Sequence, residues 1–241
     1  MPYFHSLKKN CVTGYTYASI VGGQTANTEF ELLTGNTLGF LSAGTTAFQL
    51  YIHGQMPSLV SNLKAEGYSG NKAMHPFNPY NYNRPAVYKD FGFTDFIDKF
   101  DFPKNVKRVR EYISDEANVD RIISEYEKNR KKTDQPFYMY NMTIQNHSPY
   151  DKDAANFKQP IKIESSKYDA EANRYLNLIK YSDDSLKQLT SYFEKCKEPT
   201  IILFLGDHQP RLTDEFMNKI TNGQYQTWSS EQMMKRYQVP F

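Results

Sequence analysis

Gly22-Gly23-Gln24-Thr25-Ala26-Asn27-Thr28-Glu29-Phe30 is the stretch whose reading decides the fold. A glycine pair loosens the backbone, and a hydroxyl residue follows. Asn27 or Thr28 can then cap a helix over Glu29 to Leu33. Free backbone N–H groups and the positive end of the helix dipole gather at such a start, which suits anionic chemistry. Thr25 is the candidate nucleophile. A glycine turn before a capped helix is also the commonest bland use of this pattern. The weight of the stretch therefore depends on what surrounds it.

Upstream, residues 2–9 read as a short helix and Val12 to Ile20 as a strand or extended segment. Downstream, the helix stops at Gly35, and residues 36–55 are rich in Gly, Thr and Ser and read as irregular. Pro57 to Glu66 reads as a helix stopped by Gly67, followed by a strand over Tyr68 to Met74. His75 to Arg84, with two prolines and three asparagines, is a loop, and a short helix follows near Pro85–Phe91. Residues 98–118 are charged and weakly periodic. Lys104, Lys107, Arg108 and Arg110 there read as a solvated basic cluster.

Val119 to Lys131 reads as a helix, and Pro136 to Ile144 as a strand buried on both faces, ending in the loop Gln145 to Tyr150. Residues 151–165 are a polar surface excursion. A long helix runs from about Lys167 to Lys195, with Asp183 in the middle of its apolar face. A carboxylate there is odd for a core stripe, and a structural cap on another segment is the favoured role. Pro199 to Leu205 is an unbroken apolar run, expected as a strand at a sheet centre. Helices near Asp214–Thr221 and Glu231–Arg236 close the sequence. Alternating strands and helices predict an α/β fold with a mostly parallel sheet, and sites in such sheets lie beyond the strands' carboxyl ends.

The chain has 241 residues, enough for one substantial core, and a single domain over 1–241 is the expectation. A formal net charge of +2 gives no basic field for nucleic acid. Aromatic residues make up 15%, which reads as half-buried packing ahead of a sugar- or lipid-facing surface. Cys11 and Cys196 fit no zinc motif; a disulfide and two free thiols remain open. No apolar run approaches the ~18 residues that span a bilayer, and no basic-then-apolar leader opens the sequence.

Four positions after strand ends carry polar chemistry: Thr25; His75 with Arg84; His147; and Asp207 with His208. Asp207 and His208, between Gly206 and Pro210, can share one divalent metal, and a surface turn is the alternative. The carboxylate suits Mg²⁺ or Mn²⁺, and the imidazole tilts the choice toward Mn²⁺ or Zn²⁺. His147 can protonate a leaving group, and Arg84 can grip a phosphate, although loop residues of both types are commonly just solvated. Together a hydroxyl, a metal pair, two histidines and an arginine fit phosphoryl or sulfuryl transfer.

Gly-Gly-Gln-Thr-Ala-Asn-Thr-Glu-Phe-Glu-Leu-Leu-Thr-Gly, His-Pro-Phe before Tyr-Asn-Arg, Gln-Asn-His-Ser-Pro-Tyr and Leu-Gly-Asp-His-Gln-Pro occur in this order. In these motifs the whole chain resembles the extracellular catalytic domain of the lipoteichoic acid synthase family. These are phosphoglycerol transferases of the sulfatase and alkaline-phosphatase-like superfamily. The resemblance implies an attack by Thr25 on the head group of phosphatidylglycerol, a covalent glycerophosphoryl-threonine and release of diacylglycerol. Glycerophosphate then passes to a polymer or glycan acceptor. It further implies a metal, Mn²⁺ first, on Asp207, His208 and the Thr25 oxygen. His75, His147 and Arg84 would contact the substrate, and Tyr82 stands where the family usually has Trp. Phe77 stands where some members have an acidic residue, so glycerol recognition differs.

The family's domain has a strand ending in a metal-ligating glutamate upstream of the segment matching Met1–Lys9. It also has further strands beyond Pro240-Phe241, and membrane helices. The expectation is thus a portion of that domain, placed in the full-length protein at the extracellular face of the bacterial membrane. Two alternatives stand beside this one. The first is a phosphate- or sulfate-ester hydrolase or phosphoethanolamine transferase of the same superfamily. The sulfatase motif Cys/Ser-x-Pro-x-Arg is missing at residues 23–27, which weighs against sulfate esters. The second is a non-catalytic fragment that binds the anionic head group or a cell-wall polymer.

Overall fold

The computed structural model describes residues 1–221 and 223–241. In chain order its elements are α1 (Pro2–Ser6), β1 (Tyr15–Tyr17), α2 (Thr25–Thr34), α3 (Ala47–Leu50), α4 (Leu59–Ala65), β2 (Ser69–Met74), α5 (Arg84–Asp90) and β3 (Asp95–Ile97). There follow β4 (Arg108–Val109), β5 (Tyr112–Ile113), α6 (Asp115–Arg130), β6 (Phe137–Asn141), α7 (Ala170–Phe193), α8 (Asp214–Thr221), α9 (Ser230–Met234) and β7 (Gln238–Pro240). The chain forms two compact units. One comprises Gln24–Lys107 and Tyr112–Ile144, the other Met1–Gly23, Arg108–Glu111 and Gln145–Phe241.

The first unit is built on a parallel sheet in the order β3-β2-β6. Side chains alternate across a strand, so neighbouring residues of β2 serve opposite faces. Ala73 joins Ala26, Phe30 and Leu33 of α2, Val60 of α4 and Tyr88 of α5 in one apolar cluster. Met74 joins Ile97, Phe102, Ile113 and Ala117 of α6 in another. Helices thus cover both faces, as a parallel sheet requires. β3 was not evident in the sequence. Its three residues are too few for an alternation to show, and pairing with β2 (Lys72 with Asp95, Met74 with Ile97) makes it a strand.

The second unit centres on α7, whose Leu178 packs with Val109, Tyr150 and Phe157. Phe157 is buried, so the excursion at 151–165 returns an aromatic ring to the core. Asp183 takes the structural role expected of it. Its two carboxylate oxygens accept from the backbone N–H groups of Tyr3 (2.9 Å) and Phe4 (2.8 Å), in the first turn of α1. β1 pairs antiparallel with β7. Both cysteines are free thiols.

Two expectations are corrected. α2 starts at Thr25, so Asn27 and Thr28 lie inside it and neither is the cap. Asn27 is buried; it donates to the Thr45 carbonyl at 2.7 Å and accepts from Ala47 N–H at 2.9 Å. Its amide therefore serves the start of α3 and not that of α2. The second concerns Pro199 to Leu205, which forms no strand. Its period of two survives: Phe204 packs on Phe4 at 5.8 Å between ring centroids, while Ile201 and Leu203 are exposed. An apolar run becomes a strand only where a partner takes up its backbone hydrogen bonds.

Candidate active site

Thr25 is the first residue of α2, half-buried, and Gln24 before it has left-handed φ/ψ of 65° and 39°. Gly22 and Gly23 also have positive φ, at 75° and 157°. Three such residues in a row turn the chain sharply into α2, and Asn27 N–H closes the first turn on the Gln24 carbonyl at 2.8 Å. Gly22 is required on a second count. A Cβ there would lie 2.7 Å from Cβ of Arg211. Val21 makes a parallel bridge with Gln209, and Gly22 N–H donates to the Gln209 carbonyl at 2.8 Å. The entry to the glycine loop is thereby fastened one residue beyond His208.

In the sheet unit, His75 follows the carboxyl end of β2 and is buried. Its Nδ1 lies 3.0 Å from the Met142 carbonyl oxygen. Arg84 opens α5 immediately before Pro85, fully buried, with Nη2 2.5 Å and Nε 3.1 Å from Oε1 of Glu29. Tyr88 donates to the other Glu29 oxygen. Burial works against the Arg84 charge, and the Glu29 carboxylate overcomes it, so the guanidinium pKa is raised. Tyr82, with a left-handed φ of 59°, places its ring 5.2 Å from the Arg84 Cζ. Glu29 lies one turn along α2 from Thr25, so this ion pair ties the helix that starts at Thr25 to the one that starts at Arg84.

The other unit carries His147, Asp207 and His208. His147 is exposed, its Nδ1 2.6 Å from the Ser148 carbonyl oxygen. His208 places Nδ1 2.9 Å from the Gln209 carbonyl oxygen and Nε2 3.1 Å from Oδ1 of Asp207. A carbonyl only accepts, so Nδ1 holds the proton in His75, His147 and His208 alike. In the neutral form of each ring the lone pair is then on Nε2. In His208 Nε2 faces a carboxylate oxygen, an arrangement that a proton or a cation shared between the two atoms stabilises. Two ligand atoms each about 2.1 Å from one ion stand roughly 3.0–3.4 Å apart, so the pair suits one cation. A backbone acceptor on the far nitrogen is the usual support of a metal-binding histidine. The Asp207 charge also reaches Tyr175, whose phenol is pushed up to about 12, first by burial and then by Asp207. Among the described residues no group of three or more His, Cys, Asp or Glu side chains gathers as a metal site. A catalytic divalent ion commonly takes three protein ligands. The residues present therefore fit part of a metal site.

Sequence reading missed Arg110. It was grouped with a solvated basic cluster, and the structure buries it against the loop of His147, while Lys104, Lys107 and Arg108 stay exposed. Composition gave no sign of it, because a basic run looks the same whichever member turns inward.

The sulfatase family model matches residues 1–241. The chain belongs to the sulfatase family. A relative from Rhizobium meliloti (strain 1021), named for cyclic beta-1,2-glucan modification, is 37% identical over 83% of this chain and 30% of its own length. The lipoteichoic acid synthase LtaP from Listeria monocytogenes superposes with a TM-score of 0.78 at 23% identity, over 99% of this chain and 58% of that one. The Streptococcus pyogenes phosphoglycerol transferase GacH, in complex with sn-glycerol-1-phosphate, gives 0.74 at 21%, over 100% and 60%. This sulfatase-family chain thus shares its α/β fold with the lipoteichoic acid synthase LtaP and with a Vibrio parahaemolyticus protein of the alkaline phosphatase superfamily. The chain spans about a third of the length of the curated relatives it matches.

Proposed function

We propose that this sulfatase-family domain transfers phosphoglycerol from phosphatidylglycerol to a polymer or glycan hydroxyl, by way of Thr25. The observation that carries the reading is the place of Thr25. It stands as the first residue of α2, after three positive-φ residues, at the positive end of the helix dipole, which favours a phosphate. In the first step Thr25 Oγ bonds to phosphorus and the bond to the diacylglycerol oxygen breaks. His147 Nε2 takes up the Thr25 hydroxyl proton on its lone pair and hands it to that oxygen. In the second step the acceptor hydroxyl bonds to phosphorus, the Thr25 ester breaks, and Thr25 regains its proton. Nη1 is the Arg84 edge turned away from Glu29, with one long bond to the Asn81 carbonyl at 3.4 Å; with His75 it would hold the non-bridging oxygens and the glycerol. Asp207 and His208 would help hold a divalent ion, Mn²⁺ first; bound, it lowers the threonine hydroxyl pKa. Support comes from the relatives, whose names include lipoteichoic acid synthase, and from the glycerol phosphate in the GacH structure.

The same reading places the full-length protein at the cell envelope, close to its lipid donor. Among the described residues no helix is long and apolar enough to cross a membrane. The test is fluorescent phosphatidylglycerol with Mn²⁺, read as diacylglycerol release and as a glycerophosphoryl adduct on Thr25. Thr25→Ala is expected to lose both. Release that persists in Thr25→Ala overturns the nucleophile.

A further inference from the structure

The loop from Gln145 to Pro149 has no regular secondary structure, yet each of its five carbonyl oxygens has a side-chain donor. Arg110 supplies three of them. Its Nη2 donates to Gln145 O at 2.9 Å and to His147 O at 2.6 Å, and its Nη1 to Pro149 O at 2.6 Å. The Tyr150 hydroxyl donates to Asn146 O at 2.9 Å, and His147 Nδ1 lies on Ser148 O. Arg110 is 8% exposed, with its Cζ 5.8 Å from the Tyr150 ring centroid. Arg110 itself has a φ of 55°, a left-handed backbone that is strained for a non-glycine residue. Asn156 holds that backbone by donating to the carbonyls of Arg108 (3.1 Å) and Arg110 (2.9 Å). Asn146 in turn donates to Ser182 on α7 at 2.8 Å.

We infer that Arg110 is a positioning residue for His147: its guanidinium fork sets the backbone that aims the His147 imidazole. The inference rests on the proposed role of His147. The fork is specific in shape. A lysine ammonium keeps the charge but has no planar array to span carbonyls at 145, 147 and 149. With the fork lost, the loop relaxes, and a displacement of about 1 Å at a proton donor costs about 100-fold in rate.

Two variants, Arg110→Lys and Arg110→Gln, are compared with wild type by hydrogen exchange and by diacylglycerol release. Amides over 145–150 are expected to exchange at least about tenfold faster in both, with β2 and α6 unchanged. The kcat is expected to fall about 10- to 100-fold with KM nearly constant. In a His147→Ala background, adding either Arg110 substitution is expected to cost nothing further, because the group it aims is gone. Unchanged exchange over the loop, or losses that add in full to that of His147→Ala, overturn the inference. A His147→Ala variant as active as wild type overturns the role of His147 itself and takes the inference with it. The exchange data show which of the two has failed.

Discussion

Glu29 is fully buried, and so is the arginine it faces. Two charges in a core persist only when geometry and hydrogen bonds offset their desolvation. Here the carboxylate takes two guanidinium contacts and the Tyr88 hydroxyl, and burial followed by the Glu29 charge holds Tyr88 well above the usual phenol range. Glu29→Ala leaves Arg84 charged and uncompensated. The expected loss is about 3–5 kcal/mol, or a Tm lower by roughly 6–20 °C for a chain of this size. Glu29→Gln, which keeps an acceptor, is expected to lose less. Combining Glu29→Gln with Arg84→Met removes both charges and is expected to recover much of the stability. Thermal unfolding followed by circular dichroism decides it. A shift under about 2 °C in Glu29→Ala would show that the Arg84 charge does not depend on this pair. The motif Thr-Glu-Phe-Glu says nothing of this, since its glutamate reads as an ordinary residue of a first helical turn.

The elements divide by where their information lies. The strand over Ser69–Met74 and the helix over Ala170–Phe193 were legible, because their patterns are long enough to repeat. Asp183 was legible as an anomaly: a carboxylate in an apolar stripe asks for a donor, and α1 supplies two N–H groups. Pro199 to Leu205 misled, because an apolar run specifies burial and not a hydrogen-bonding partner. α1 has five residues and is far too short to persist alone. Its stability is tied to the cap from α7. Asp183→Ala is expected to cost about 0.5–2 kcal/mol and to raise hydrogen exchange at residues 2–9, while the β3-β2-β6 sheet stays protected. Asp183→Asn, with one acceptor left, should fall between. Exchange at residues 2–9 that matches wild type in Asp183→Ala would sink the cap as the anchor of α1.

Across the whole chain, the candidate site was legible as four short motifs and the parts between them were not. Thr25, His75, His147 and the Asp207-His208 pair each stand in a motif that survives being read locally. The partners that hold them do not: Glu29 reaches Arg84 55 residues away, and Arg110 reaches His147 O 37 residues away. The same holds for the charge network that joins the sheet to α6. Glu125 on α6 accepts from Lys72 on β2 at 2.9 Å, and from Arg121 (3.0 Å) and Lys128 (2.9 Å) on its own helix. Lys72 also lies 3.2 Å from Asp95 on β3. Burial acts to raise the Glu125 pKa, but the bonds from Lys72 and Lys128 and the charges of Lys72 and Arg121 prevail, holding it at about 2. Lys128 is exposed, so solvent screens its share more than that of the half-buried Lys72 and Arg121. A carboxylate lowered by folding stabilises the native state above its unfolded pKa, which is near the ordinary 4.5. That stability is lost as pH falls from there through about 2. At neutral pH, Glu125→Gln is expected to cost about 1–2 kcal/mol, or roughly 2–8 °C in Tm. The gap between the two proteins should narrow steadily below pH 4.5 and close near pH 2. Tm measured for both between pH 7 and pH 2 tests this. A gap that stays constant down to pH 3 would mean that Glu125 keeps an ordinary carboxylate pKa on folding, and that the network stabilises the unit by packing instead of charge.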